Sequence, residues 1–235
     1  ESEPDTASLT RLSEARRWPS ISLRVEDFRY GPKQLGSLHL DAAPSATESA
    51  WIVSRLALEN KDATVAGSGK WAALPSASGN RNLLTVPSET SLIIDASIRS
   101  SQGLLSRLGH PGLLRDTPGE VRGKLAWDGS PTDYKLSRLR GQLSLDLRQG
   151  QFLKADPGLA KLISVLNLQS LPRRITLDFR DIFSAGFAYD RVRGDVEFSN
   201  GQATTKNLRI LGVQATVFLE GAVNLVGETQ DMRVL

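Results

Sequence analysis

The chain has 235 residues, 40% of them apolar and 23% charged, which places it with folded globular chains and not with disordered ones. Its net charge of +3 comes from basic residues scattered among acids, and aromatics are only 6%, so the clustered basic stripe with stacking rings that a nucleic-acid surface needs is missing. The lack of cysteine excludes disulfides and thiolate chemistry and leaves the redox compartment open.

In chain order, residues 1–18 read as a lead segment, partly disordered, whose acidic start "ESEPDTASLT" has none of the features of a signal peptide. From there on the dominant period is two. "ISLRV" sets Ile21, Leu23 and Val25 against Ser22 and Arg24. "SLIIDASIRS" puts Leu92, Ile94, Ala96 and Ile98 on one face, and "VRGKLAWDG" does the same with Val121, Leu125 and Trp127. "LRGQLSLDLRQG" opposes Leu139, Leu143, Leu145 and Leu147 to Arg140, Gln142, Ser144, Asp146 and Arg148. "RITLDFR" offers Ile175, Leu177 and Phe179, and "VRGDVEFSNG" offers Val192, Val196 and Phe198. The longest run, "VQATVFLEGAVNL", points Val217, Leu219, Gly221 and Val223 one way and Thr216, Phe218 and Glu220 the other. Successive strand side chains point to opposite faces, so these are strands with one dry side and one wet side, joined antiparallel by Gly, Asn, Pro and Ser turns. "SNGQ" marks a tight hairpin, because Asn-Gly accepts the positive φ of a primed turn. The terminal "QDMRVL" reads as a strand cut short, and the sequence is expected to be a fragment.

Two segments change period. "SQGLLSRLGHPG" predicts a short helix near 101–109 carrying Leu104, Leu105 and Leu108, ended by Gly109 and Pro111. "DPGLAKLISVLNLQSLP" predicts a second over 157–170, with Asp156 as N-cap and Pro157 at the first helical position. Its apolar stripe is Leu159, Leu162, Ile163 and Leu166. The chain also repeats itself. Leu56–Gly69 aligns without gaps on Leu208–Gly221, sharing Ala-Thr-Val, and each copy follows a Phe-x-Tyr, at Phe28–Tyr30 and Phe187–Tyr189. A third partial copy sets Arg140–Gln151 against Arg193–Gln202. Repeated hairpins with one apolar face build a quasi-linear object.

Catalytic chemistry does not emerge. His39 and His110 are far apart in sequence, with no carboxylate partner suggested for either. "GSGK" (Gly67–Lys70) resembles the tail of a phosphate loop, but Trp71 replaces the required Ser/Thr and Thr64 the first glycine. Asp195 and Glu197, with Arg193 before them, share a strand face that reads as solvated. No cofactor or metal is expected and no run approaches the ~20 apolar residues of a membrane-spanning helix. The pattern leaves two readings open. The apolar faces pack together as a closed sandwich that binds protein, or the sheet stays open as a gutter whose aliphatic lining suits acyl chains.

Longer motifs add a resemblance. "LQSLPRR" (Leu168–Arg174), "LDFRD" (Leu177–Asp181), "GFAYDRVR" (Gly186–Arg193) and "NLRI" (Asn207–Ile210) resemble the C-terminal region of the AsmA-like superfamily, in its YhdP branch. "LLSRLGHPGLLRDTPGEVRGKLAWDGSP" (Leu104–Pro131) is similar to the same branch. The resemblance covers about residues 92–235. It implies a mainly β fold, a curved antiparallel sheet forming an open, repeating, taco-like groove with two short amphipathic helices. Residues 19–90 are then an N-terminal groove repeat and 91–235 the C-terminal groove region.

The resemblance further implies a periplasmic segment of a bridge-like protein, anchored in the inner membrane by a segment absent from this chain. Such a protein carries phospholipid toward the outer membrane and supports its barrier; the alternative is an envelope scaffold that binds other proteins. Phospholipid, the two membranes (reached through segments outside this chain) and envelope proteins are the expected partners. Leu143, Leu145, Leu147, Val196, Phe198, Val217 and Leu219 are the candidate groove residues, and the 157–170 helix either docks on the sheet or plugs it.

Overall fold

The computed structural model describes residues 19–74, 86–115, 117–153, 187–212, 216–227 and 229–234. Strands β1 (Ile21–Tyr30), β2 (Lys33–Pro44), β3 (Ala50–Glu59), β4 (Ala63–Ala73) and β5 (Ser88–Ile98) follow one another, then helix α1 (Ser101–Arg107) and the short β6 (Leu114–Arg115). After these come β7 (Gly119–Asp128), a 3₁₀ turn at Leu136–Arg138, β8 (Arg140–Phe152), β9 (Phe187–Ser199), β10 (Gln202–Gly212), β11 (Thr216–Asn224) and β12 (Thr229–Val234). All twelve strands join one sheet, laid out in chain order with β6 attached to β8, and every pairing is antiparallel. The sheet is curved and does not close: β1 and β12 stand at opposite edges. Among the described residues there is no second sheet to complete a sandwich.

Local chemistry explains the connections. At Ser199–Gln202 the turn residues Asn200 (φ 50°) and Gly201 (φ 76°) both take the left-handed conformation that a two-residue hairpin requires. The β3–β4 turn is tied by Asn60, whose Oδ1 accepts from the backbone N–H of Asp62 and of Ala63, both at 2.9 Å. Its amide also donates to the Leu35 carbonyl at 2.8 Å, sewing the turn to β2. Helix α1 starts where Ser100 Oγ accepts from the Gly103 N–H at 3.1 Å, and it ends at Arg107, two residues short of the predicted limit. The second predicted helix, with Leu159, Leu162, Ile163 and Leu166, lies outside the described residues, as does "RITLDFR".

The repeat is half real. Leu56–Gly69 and Leu208–Gly221 each run from the end of one strand across a hairpin into the next, β3–β4 and β10–β11. The upstream tripeptides do not correspond. Phe28–Tyr30 closes β1 because Gly31 and Pro32 turn the chain there, whereas Phe187–Tyr189 opens β9, which continues to Ser199. The third copy fails for the same reason: Arg140–Gln151 stays within β8, while Arg193–Gln202 contains the Asn200–Gly201 turn.

One apolar cluster is buried where β9, β10 and β11 meet: Tyr189, Val192, Ile210 and Val217, with Leu114, Leu145, Leu147 and Phe152 packed on it. Tyr189 carries its hydroxyl into a buried polar knot. Thr117 donates its hydroxyl to the Arg115 carbonyl at 2.8 Å, and its Oγ1 lies 3.0 Å from the Tyr189 hydroxyl. The Thr117 N–H donates to Ser101 Oγ at 3.1 Å. Burial raises the Tyr189 phenol above its ordinary pKa, so it stays a neutral donor. Gly150 makes room: any Cβ there would run into the Thr117 hydroxyl and the Tyr189 ring.

Candidate functional site

Because antiparallel partners share a face, the register turns the alternation of each strand into rows that cross the whole sheet. One row is Val25–Leu38–Leu58–Val65–Ala96–Val121–Leu145–Gly194. The next is Leu23–Leu40–Leu56–Gly67–Ile94–Gly123–Leu143–Val196. A third runs Ile21–Ala42–Val53–Gly69–Leu92–Leu125–Gly141–Phe198–Ala203–Val223. Two shorter rows flank them: Ala63–Ile98–Gly119–Leu147–Val192–Ile210–Val217 toward α1, and Pro44–Trp51–Trp71–Thr90–Trp127 toward the opposite strand ends. No charged side chain stands in any of these five rows. They form one unbroken apolar surface running across the strands.

The opposite face is its inverse. Arg122 pairs with Asp95 at 3.0 Å and with Glu120 at 3.1 Å; Arg140 pairs with Glu89 at 2.7 Å and Asp128 at 2.8 Å; Arg191 pairs with Asp146. Asp195 takes hydrogen bonds from Ser144 and Asn207, at 2.5 and 2.6 Å, and these hold its carboxyl below the usual range. The Asp195, Glu197 and Arg193 group is thus a solvated outer network and not a catalytic pair. His39 does meet a carboxylate: Asp41, two residues on along β2, shares its face and brings Oδ2 to 3.1 Å from Nε2. The Gly67–Lys70 stretch is mid-strand in β4, with no loop to cradle a phosphate.

Glycines in the apolar rows set the curvature. At Gly123 a Cβ would collide with the Gln142 carbonyl oxygen, and at Gly141 (φ 132°) with the Lys124 carbonyl oxygen. Gly123 pairs with Leu143 and Gly141 with Leu125, so the two are diagonal neighbours where β7 and β8 approach too closely for a Cβ, and at Gly141 the positive φ itself favours glycine.

All seven candidate groove residues fall on the apolar face. Leu143, Leu145, Leu147, Val196, Phe198 and Leu219 are half-exposed, while Val217 belongs to the buried cluster. Strand pattern alone did not single out the Trp51–Trp71–Trp127 row; only the register aligns three residues spread over 76 positions of chain. The signal present in the sequence is Gly-x-Gly-x-Trp at Gly67–Trp71, a period-two run ending in an aromatic.

A surface this long, uncharged and aliphatic has no directional group with which to perform chemistry, but it can cover hydrocarbon. The family model described as "YhdP protein" matches residues 1–235. The chain belongs to the YhdP family. Among curated proteins it is similar to the intermembrane phospholipid transporter YhdP of Escherichia coli (strain K12), with 23% identity over 221 residues. The alignment covers 94% of this chain and 16% of that relative, so the chain spans about one-sixth of the length of the transporter it matches. No solved structure matches the chain. Among the described residues no helix is long and apolar enough to cross a membrane.

Proposed function

We propose that this chain is one segment of a bridge-like conduit that carries phospholipid between the inner and outer membranes, with acyl tails lying along the apolar rows and headgroups outside them. The observation that carries this reading is the set of charge-free rows spanning an unclosed sheet. The matched relative's name supports phospholipid as the cargo.

The physics follows from the lining. Removing a tail from water is worth about 0.8 kcal/mol per CH₂, so even partial coverage holds a lipid in the groove. Aliphatic walls make no directional bonds, so a tail that advances exchanges one set of contacts for an equivalent set. Sliding then costs little, and the lining by itself favours neither direction. Leu143, Leu145, Leu147, Val196, Phe198 and Leu219 supply the half-exposed wall, with Val217 beneath it. The periplasm is the assigned location, and contact with both membranes is assigned to the remainder of the longer polypeptide. Support of the outer-membrane barrier is the expected consequence of such transfer.

Native mass spectrometry of the chain purified from bacterial membranes tests this. Phospholipid is expected to accompany the wild-type chain and to be lost from Leu145→Asp/Val217→Asp. Leu23→Asp, at an exposed position of the same face, lowers lipid retention without threatening the fold. Lipid-free chain carrying a bound polypeptide would support the scaffold alternative instead.

A further inference from the structure

The two long margins of the groove, formed by the strand ends, are built differently. One carries α1 over part of its length. Arg107 donates to the buried Asp62 at 2.5 Å, and Ser101, Thr117 and Tyr189 satisfy one another. The other margin carries the tryptophan row, with Tyr134 set edge-on to Trp127 at 5.7 Å. Trp71 Nε1 donates to Ser88 Oγ and Trp127 Nε1 to the Ser130 carbonyl, both at 2.9 Å. Trp71 and Trp127 are buried, their ring faces closing the apolar rows and their N–H groups bonded to polar groups at the strand ends, so the change from apolar lining to polar margin falls here.

Just beyond this row lies a cavity of about 460 Å³, whose walls include Trp71, Ser88, Asp128, Asp133 and Arg138. Asp128 is already engaged by Arg140 at 2.8 Å. Asp133 and Arg138 line the same cavity and no ion pair within 4.0 Å joins them, although the Arg138 and Lys135 charges both help to lower the Asp133 carboxyl and Arg138 also acts on Asp128. Asp133 Oδ2 accepts from the Ser130 N–H at 3.1 Å and from the Ser130 hydroxyl at 2.8 Å, while Oδ1 takes no hydrogen bond from the described residues. Those two bonds hold the Asp133 carboxyl below the usual range, so it is ionised at neutral pH. An acid and a base that share one cavity without a direct contact complement a ligand that carries both charges itself.

We infer that the tryptophan margin is the headgroup side of the groove, and that it takes a zwitterionic phosphoethanolamine headgroup with its phosphate at Arg138 and its ammonium at Asp133. This rests on the lipid-conduit reading and sharpens it: tails lie on the rows, headgroups follow one margin, and α1 sits at the other. A phosphoglycerol headgroup brings its anionic phosphate near the Asp133 carboxylate without an ammonium to meet it, so the site selects against it.

The test incubates the purified chain with vesicles of equal phosphatidylethanolamine and phosphatidylglycerol and quantifies the lipid retained after re-isolation. Wild-type chain is expected to enrich the ethanolamine lipid. Asp133→Asn lowers the ethanolamine-to-glycerol ratio by about threefold, the size an exposed charge contact supports. Arg138→Gln lowers total retained lipid, and Lys61→Gln, in the β3–β4 turn at the α1 margin, changes neither quantity. Both tested side chains are exposed, so the variants keep the fold. Wild-type chain that retains no lipid overturns the conduit and the headgroup site together. Lipid retained with a ratio indifferent to Asp133→Asn and Arg138→Gln, or shifted instead by Lys61→Gln, overturns the headgroup site alone. Displacement of the lipid by equimolar free phosphoethanolamine overturns its assignment to a lipid.

Discussion

Strand β1 and the corner where β9, β10 and β11 meet carry the same alternating pattern on the same face, yet they end in opposite environments. Leu23 and Ile21 keep 41% and 37% of their surface exposed, whereas Val192 and Ile210 keep 4% and 5%. At the corner the chain supplies its own cover. Leu114 arrives on β6, and the Phe152 and Tyr189 rings lean on each other with centroids 4.9 Å apart. At the β1 edge nothing described folds over the row. Alternation therefore says which face a residue joins, and the neighbours decide whether that face becomes core or lining.

The largest break in this comparison is a charge placed on each side of it. Val192→Asp strands a carboxylate in the buried cluster and is expected to cost about 3 kcal/mol or more, against under about 1 kcal/mol for Leu23→Asp. Urea unfolding followed by circular dichroism reads both, and equal losses would make the two regions equivalent. Next comes curvature. Gly123→Ala is expected to cost about 2–3 kcal/mol, because the β-carbon meets the backbone of β8 and not a yielding side chain. A smaller loss would mean that the bend at β7–β8 is not glycine-dependent.

Tyr189→Phe keeps the ring in the corner and removes only its link to Thr117, for an expected loss of about 1 kcal/mol by the same unfolding measurement. The smallest effect belongs to the charged face. Arg191 beside Asp146 and Ser144 beside Asp195 depress both carboxyl pKa values in the folded state. Their contribution is present above the unfolded carboxylate value near about 4 and is lost as pH falls through the lower folded value. Asp146→Asn should lower the plateau near neutrality by that small contribution and flatten the acid limb, so that the wild-type and variant stability–pH profiles converge at low pH.

Much of the architecture is legible before any coordinates. Ser199–Gln202 announces its hairpin, and Leu143, Leu145 and Leu147 announce their face, because turn geometry and strand period are local properties. The mismatch of Phe28–Tyr30 with Phe187–Tyr189 shows the limit: the same tripeptide ends one strand and begins another, and only the residue after it tells which. The Asp133–Arg138 cavity is harder still. Its walls come from two separate connections, β4–β5 and β7–β8, and what marks it is that an acid and a base on one cavity make no direct ion pair, a matter of distance and not of type.

By itself the sequence determined the mainly antiparallel β class, the two-faced character of each strand and the place of α1, since dihedral preference and side-chain alternation act over a few neighbouring residues. Tertiary structure alone decided that the rows line up into one charge-free surface, that the sheet stays open, and that its two margins differ. Those outcomes depend on register, backbone bend and contacts between residues far apart in the chain, which no local pattern encodes.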